Sequence, residues 1–393
     1  MTDGPLAGIT VYDFSQVLAA PYGAVLLAEY GADVVTVEPP GGSAEREILE
    51  ASTFPNVTHN KRSIAVDLKA DGADELIERI ANDADVIVHN YTPGTMERLG
   101  CGYETMKEYN EEIVFCSVTG FGEDGPYSDR RGYDPIAQSM SGLMSVTGEP
   151  DRKPSRVGAS LIDHGVGAHL AFAAMSALWQ AARTGEGSKI EVSLFDVAAT
   201  YMGYWYTYYS QTGETPTRHG HSHGLNASHG LFETATELIF VEFGNQRHFD
   251  RLCAAVDVEE WHDDERINTV SSRNENREYL HETVEEEFRN WDREELLGAL
   301  LDANVPAAPY NTIPEAIADP QLEHRGTVTS IDNEDGESVV IGGRPIHFEG
   351  FTPELESPPK LAEDTEEILM ELGYSDPEIV EMIEAGLTPK EST

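Results

Sequence analysis

The chain predicts an α/β fold, a Rossmann-like open parallel sheet in a large domain with a smaller α+β domain beside it. Three observations carry this prediction. Short runs rich in β-branched residues alternate with helix-periodic segments through the first half, the pattern of βαβ units and a parallel sheet. The 393 residues leave room for a second domain. Finally, 40% of the residues are hydrophobic and periodically placed, enough apolar surface for buried cores.

In chain order, residues 9–14, Asp33–Glu38, 85–91 and 113–120 read as strands. Between the second and third, Ala73, Leu76, Ile77, Ile80 and Ala81 fall on one helical face. A long helix rich in small residues follows over about residues 164–183, then a strand at 190–195. Residues 211–230 are rich in Gly, His, Ser and Thr without periodicity and read as a loop or linker. A second unit then shows a strand at 238–243 and helices at 247–256, 275–290 and 293–303. Residues 327–331 and 338–341 flank Asp332-Asn-Glu-Asp-Gly336 as a hairpin, and helices near 366–372 and 377–385 finish the chain. The expected division is 1–210 for the large domain, 211–320 for linker and small domain, and 321–393 returning to the large domain.

Acidic residues number 71 against 26 basic, a net charge of −45 spread along the chain. Self-repulsion on this scale is tolerable mainly where ions screen it, so a folded protein of a salt-rich cytoplasm, from a halophile, is expected. Such a surface makes nucleic acid and anionic membranes poor partners. Cys101, Cys116 and Cys253 show no CxxC spacing, which suits a reducing interior and argues against a zinc cluster or disulfide framework. The N-terminus has no basic region followed by an apolar run, and no apolar stretch reads as long enough to span a bilayer.

Three motifs point elsewhere and fail on context. Gly120-Phe-Gly122-Glu-Asp-Gly125 matches a dinucleotide fingerprint, but no helix periodicity follows and Glu123 and Asp124 would repel a pyrophosphate. His219, His221, His223 and His229 cluster without HExxH or an organised carboxylate set, so a flexible active-site loop is expected and no metal site. Asp332-Asn-Glu-Asp-Gly336 lacks the spacing and the distal Glu of a calcium loop. The few basic residues Lys61, Arg62, Lys69, Arg98, Arg130 and Arg131 fall in the first half. Several lie near strand ends, where open parallel sheets bind ligands; they suit either a phosphorylated ligand or ordinary surface pairing.

In Gly158-Ala-Ser-Leu-Ile-Asp163 a lone carboxylate stands where the long helix begins. Alone, it reads as an N-cap. A helix N-terminus also stabilises negative charge, so the cap reading does not exclude an ionised nucleophile. His164 is adjacent, but neighbours in sequence do not face each other on a helix.

Residues Pro5–Ser15, Ala20-Pro21, Gly31–Glu38, Asn60–Lys69, Ala84–Gly94, Ser117–Tyr127 and the Asp163 segment together, in this order, resemble the class III coenzyme A transferases, relatives of formyl-CoA transferase. The likeness continues more weakly through Val305-Pro-Ala-Ala-Pro to Leu-Gly-Tyr374. It implies two-domain subunits interlocked as a ring-like homodimer, a Rossmann-like domain that binds no NAD, no permanently bound cofactor, and a coenzyme A thioester as substrate. It places Asp163 at the nucleophile, forming covalent aspartyl intermediates, and Val17, Lys69, Asn90, Arg98 and Arg131 at the coenzyme. Pro39 departs from the arginine frequent after this glutamate, so part of the adenine or phosphate pocket would need another cation, Arg62 or Arg46. α-Methylacyl-CoA racemases share the fold but carry histidine where this chain has Tyr133, a weak base at neutral pH, so transfer is favoured over racemisation. A catalytically idle CoA-binding subunit is a third reading, disfavoured by the retained Asp163. A small dicarboxylate acceptor such as mesaconate, with succinyl-CoA as donor, is the expected chemistry; formate with oxalate, or carnitine-type acids, are alternatives. Arg218, His219 and Gly224 are the substrate-binding expectations, with Arg247 a further cation, since a second carboxylate needs a cationic or multi-donor partner.

Overall fold

The computed structural model describes residues 4–43, 46, 54–333 and 336–389. Its contacts divide the chain into two compact units. One takes residues 1–141, 158–201 and 320–393, the other residues 142–157 and 202–319. The second unit therefore begins at 202 rather than 211, and it also recruits 142–157, a stretch that local pattern assigns to the first.

The first unit is built on β1 (Thr10–Asp13), α1 (Ala19–Glu29), β2 (Asp33–Glu38), α2 (Phe54–Thr58), β3 (Arg62–Ala65), α3 (Ala73–Asp83) and β4 (Val86–His89). It continues with α4 (Thr95–Arg98), α5 (Tyr103–Tyr109), β5 (Val114–Thr119), α6 (Asp134–Met140), α7 (Leu161–Thr184), β6 (Ser188–Ser193) and α8 (Leu194–Tyr201). All six strands are parallel, in the order β3-β2-β1-β4-β5-β6. This is the doubly wound α/β arrangement, whose order reverses between β1 and β4. The Arg-Ser-Ile-Ala of β3 escapes sequence reading because four residues, half of them polar, carry no periodicity.

Burial follows position in the sheet. β5 is buried along all six residues, while edge strand β6 alternates. Tyr12, Val35, Ile64, Ile87 and Phe115 from the strands meet Leu76, Ile77 and Ile80 of α3 in one core. Ile368, Leu369 and Ile379 of the last two helices enter the same core, so the C-terminal segment belongs to this unit.

α7 is long and apolar enough to cross a bilayer, contrary to the expectation that no segment is. Here it is packed instead. Ile162, Val166, Leu170, Ala174 and Ala177 are buried, and the helix lies against α1, β5 and β6. Small residues set the α1–α7 approach: a Cβ on Gly167 would stand 2.7 Å from the Ala19 carbonyl oxygen, and one on Gly23 would stand 2.9 Å from the Gly167 oxygen.

The second unit contains α9 (Gly203–Thr212), then β7 (His229–Glu233), β8 (Leu238–Glu242), α10 (Gln246–Ala255), α11 (Val270–Glu275), α12 (Arg277–Phe288), α13 (Arg293–Asp302) and β9 (Ala307–Pro309). Its three strands form an antiparallel sheet, β7-β8-β9, over a core of Phe232, Phe243, Phe249, Leu252, Val284 and Phe288. The helix expected at 275–290 is α12, and Asn276 separates it from the short α11 before it. Back in the first unit, β10 (Val328–Asp332) pairs with β11 (Ser338–Gly342) as a hairpin. Glu334 and Asp335 of its turn lie outside the described residues.

Candidate active site

The C-terminal ends of β1, β4 and β5 open into a cavity of about 390 Å³ in the first unit, at the point where the strand order reverses. Open α/β sheets bind their ligands there. Gln16, Val17, Leu18 and Ala19 form one wall, Asn90 and Thr92 a second, and Gly120, Arg131 and Tyr133 a third; Asp163 projects from the first turn of α7.

The β1–α1 loop is fixed from beneath by a buried network. Lys61 Nζ donates to Asp13 Oδ2 at 2.8 Å and to the Pro21 carbonyl at 3.0 Å, and both ionic side chains are only 1% exposed. The other oxygen of Asp13 accepts from the backbone N–H and hydroxyl of Ser15. Lys61 is thus neither a free phosphate ligand nor a surface pair, the two roles its position near a strand end suggests. Asn90 fixes the loop from the side. Its Oδ1 accepts from the Gln16 N–H at 2.9 Å and its Nδ2 donates to the Gln16 carbonyl at 2.6 Å. Between these anchors Val17 holds φ at 73°, a conformation costly for a β-branched residue and maintained only where surroundings over-determine it.

Asp163 is not the cap of its helix. α7 begins at Leu161, and its cap position, Ser160, makes no side-chain cap bond. The cap comes from a residue 28 positions upstream of Ile162: Asp134 Oδ2 accepts from the Ile162 N–H at 2.7 Å and, more weakly, from the Asp163 N–H at 3.4 Å. Gln138 Nε2 donates to the other Asp134 oxygen at 2.6 Å. Sequence reading passes over Asp134; its only local mark is the Asp-Pro step that opens α6. Released from capping, the Asp163 carboxylate has no hydrogen-bond partner among the described residues. Burial, and then the charge of Asp134, push its pKa up to about 7. His164 points elsewhere, bonding the Ser160 carbonyl through Nδ1 at 2.8 Å and meeting Tyr22 edge-on.

Val17, Asn90 and Arg131 therefore share one cavity with Asp163. Lys69 lines a neighbouring cavity of about 290 Å³ with Glu38, Pro39 and Leu99; Gln16, Tyr91 and Thr95 line both. Arg98 lines neither, but donates to Thr95 Oγ1 at 2.7 Å. Of the two cations expected to offset Pro39, Arg46 grips Glu38 with two bonds of 2.7 Å, and Arg62 pairs with Asp33 and Glu371. The glycines of the apparent dinucleotide fingerprint have a packing reason. A Cβ on Gly120 would stand 2.6 Å from the Gly132 backbone, and Gly122 and Gly125 adopt positive φ.

The remaining sequence-predicted residues lie in the second unit. Arg218 donates to the carbonyls of Glu149, Pro150 and Arg152, which ties its guanidinium to the 142–157 segment. His219 is kept below the usual imidazole pKa by burial and by Arg277 and His223 nearby. Gly224 is set by close packing, since a Cβ there would stand 2.6 Å from the Trp205 ring. Arg277, which sequence reading misses, donates to Ser222 Oγ and to the carbonyls of His223 and Gly224, so residues 222–224 are held rather than loose. Arg247 is exposed on α10. Among the described residues no group of His, Cys, Asp and Glu converges to hold a metal ion.

The family profile of CoA-transferase family III matches residues 6–365. A succinate–glutarate CoA-transferase of Agrobacterium fabrum is 36% identical, over 98% of this chain and 98% of its own. A succinyl-CoA:mesaconate CoA-transferase of Haloarcula hispanica is 34% identical, over 94% of this chain and 97% of its own. Among solved structures, a CAIB/BAIF family protein from Brucella suis superposes with a TM-score of 0.85 at 34% identity, covering 94% of this chain and 100% of that one. With the doubly wound sheet and the carboxylate at its switch point, these similarities establish that the chain belongs to CoA-transferase family III and is a CoA-transferase acting on coenzyme A thioesters.

Proposed function

We propose that the protein transfers coenzyme A from succinyl-CoA to a small dicarboxylic acid, with Asp163 as the covalent carrier. One observation carries the reading: the Asp163 carboxylate opens, without a hydrogen-bond partner among the described residues, into the cavity that Val17, Asn90 and Arg131 line. Asp163 attacks the thioester carbonyl, the C–S bond breaks and the CoA thiolate leaves, giving a mixed anhydride. The thiolate then attacks the aspartyl carbon, releasing succinate and leaving an aspartyl-CoA thioester. The acceptor carboxylate attacks that thioester in turn. The returning thiolate takes the acceptor's acyl group and regenerates Asp163. Dividing the exchange this way replaces one difficult displacement with several easier ones. Oxyanion stabilisation at each tetrahedral stage calls for pre-positioned donors, which the twice-anchored 16–19 loop is suited to offer.

The dicarboxylate is supported by the names of the two relatives, which act on glutarate and on mesaconate. Val17, Lys69, Asn90, Arg98 and Arg131 are the proposed coenzyme contacts, and Arg218, His219 and Gly224 the proposed acceptor side. Arg218 acts there through the segment it ties down. A homodimer is proposed as well, supported by Phe172 and Trp179 standing 74% and 66% exposed on α7. The net charge of −45 supports a salt-rich cytoplasm as its setting.

The test is product analysis by mass spectrometry in molar KCl, with succinyl-CoA and a mixture of glutarate, mesaconate, itaconate, malate and oxalate. A new dicarboxyl-CoA with matching succinate release is expected, and its loss in Asp163→Ala. Undiminished turnover in that variant would remove Asp163 from the mechanism. Exchange of deuterium into the α-carbon of a 2-methylacyl-CoA, without transfer, would instead establish racemisation.

A further inference from the structure

Asp134 is 3% exposed and has no place in the chemistry described above. Its position is nonetheless specific. From the first residue of α6 it reaches the start of α7, where one oxygen takes the N–H groups of Ile162 and Asp163 and the other takes Gln138 Nε2. A helix N-terminus favours a negative charge placed against its free N–H groups. That charge sits beside the attacking carboxylate, which has no bonding partner of its own among the described residues.

We infer that Asp134 is a positioning residue for the transfer. It fixes the first turn of α7, and it places beside Asp163 a negative charge that favours every state in which the Asp163 side chain is neutral. The inference rests on the reading of Asp163 as nucleophile. When Asp163 forms its C–O bond to the acyl carbon and the C–S bond breaks, the charge leaves with the thiolate, and the like-charge repulsion at α7 disappears. The same holds once the thiolate attacks the aspartyl carbon and the donor acid departs as carboxylate. Asp134 thereby destabilises the resting dianionic pair relative to both covalent intermediates.

The other titratable groups around Asp163 do not duplicate this role. Tyr91, Arg130, Arg131 and Tyr133 line the cavity, His164 faces Tyr22, and the Tyr201 hydroxyl lies against Gly165. Burial, and after it the charge of Asp134, raise the Asp163 carboxyl.

Asp134→Asn keeps an acceptor for the Ile162 N–H and removes the charge. The experiment follows turnover against pH in the full-length enzyme. In parallel, peptide mass spectrometry measures the fraction of Asp163 trapped as a covalent adduct with succinyl-CoA, in wild type and variant. The expected result is an acid limb moved towards lower pH by about one unit, with a severalfold smaller adduct fraction. Asp134→Glu, which keeps the charge, should retain a wild-type profile, and it serves as the comparison if the asparagine variant unfolds. Coincident profiles and adduct fractions in Asp134→Asn and wild type would overturn the inference. So would an acid shift in the glutamate variant, because geometry rather than charge would then be responsible. Absence of any Asp163 adduct in wild type would overturn the nucleophile reading itself, and this inference with it.

Discussion

Replacing Asp163 with asparagine should stabilise the folded chain near neutral pH while abolishing transfer. Burial and Asp134 carry the Asp163 carboxyl from its ordinary 3.8 to about 7 in the folded state. Between these values the folded chain holds a proton that the unfolded chain has released, so rising pH favours unfolding. At about 1.4 kcal/mol per pH unit, the penalty grows from pH ~4 to pH ~7 and reaches roughly 4 kcal/mol at most. Asparagine has nearly the same shape and no charge to desolvate. The variant should therefore gain stability of that order above pH ~7, and the gain should fade to nothing below pH ~4. Urea unfolding at fixed molar KCl across this range, with hydrogen exchange of the α7 amides as the local probe, measures the difference directly. A difference that does not vary with pH, or a variant less stable than wild type at alkaline pH, would refute the argument. Such a gain would mean that the site holds its nucleophile at a cost in stability, as functional sites commonly do.

Lys61→Met should cost about 3–5 kcal/mol in thermal or chemical unfolding, because it leaves Asp13 buried without its cation; adding Asp13→Leu should recover much of the loss. Gly167→Ala should destabilise by about 1–3 kcal/mol and lower kcat, since the new methyl pushes on the Ala19 carbonyl, part of the cavity wall. Asn90→Ala frees both backbone groups of Gln16 and lets Val17 relax from φ 73°. An unfolding cost of about 1–2 kcal/mol and a drop in kcat/KM for the acyl-CoA of about tenfold or more are expected. An Asn90→Ala enzyme with unchanged kinetics would show that the loop does not need this anchor.

Much of this protein is legible without coordinates. Period-two and period-3.6 patterns are local properties of a chain, so the strand at Asp33–Glu38, the face of α3 and the length of α7 can be read from residue spacing. Ordered motifs likewise single out Asp163 and the 84–94 segment as family hallmarks. What spacing cannot express is a pairing between distant residues. β3, with four residues and no periodicity, exists as a strand because β2 lies beside it. Asp163 reads as a cap until Asp134, on another helix, takes the N–H groups that make a cap necessary. Lys61 reads as a ligand for phosphate until Asp13, 48 residues away, is found within 2.8 Å of it. Residues 142–157 join the second unit partly through carbonyls that Arg218 collects, and carbonyls leave no trace in side-chain chemistry. The sequence by itself determined the strongly periodic elements, and its ordered motifs pointed to the Asp163 carboxylate. Only the tertiary structure decided that carboxylate's charge, because burial and a neighbour's field are properties of position in space.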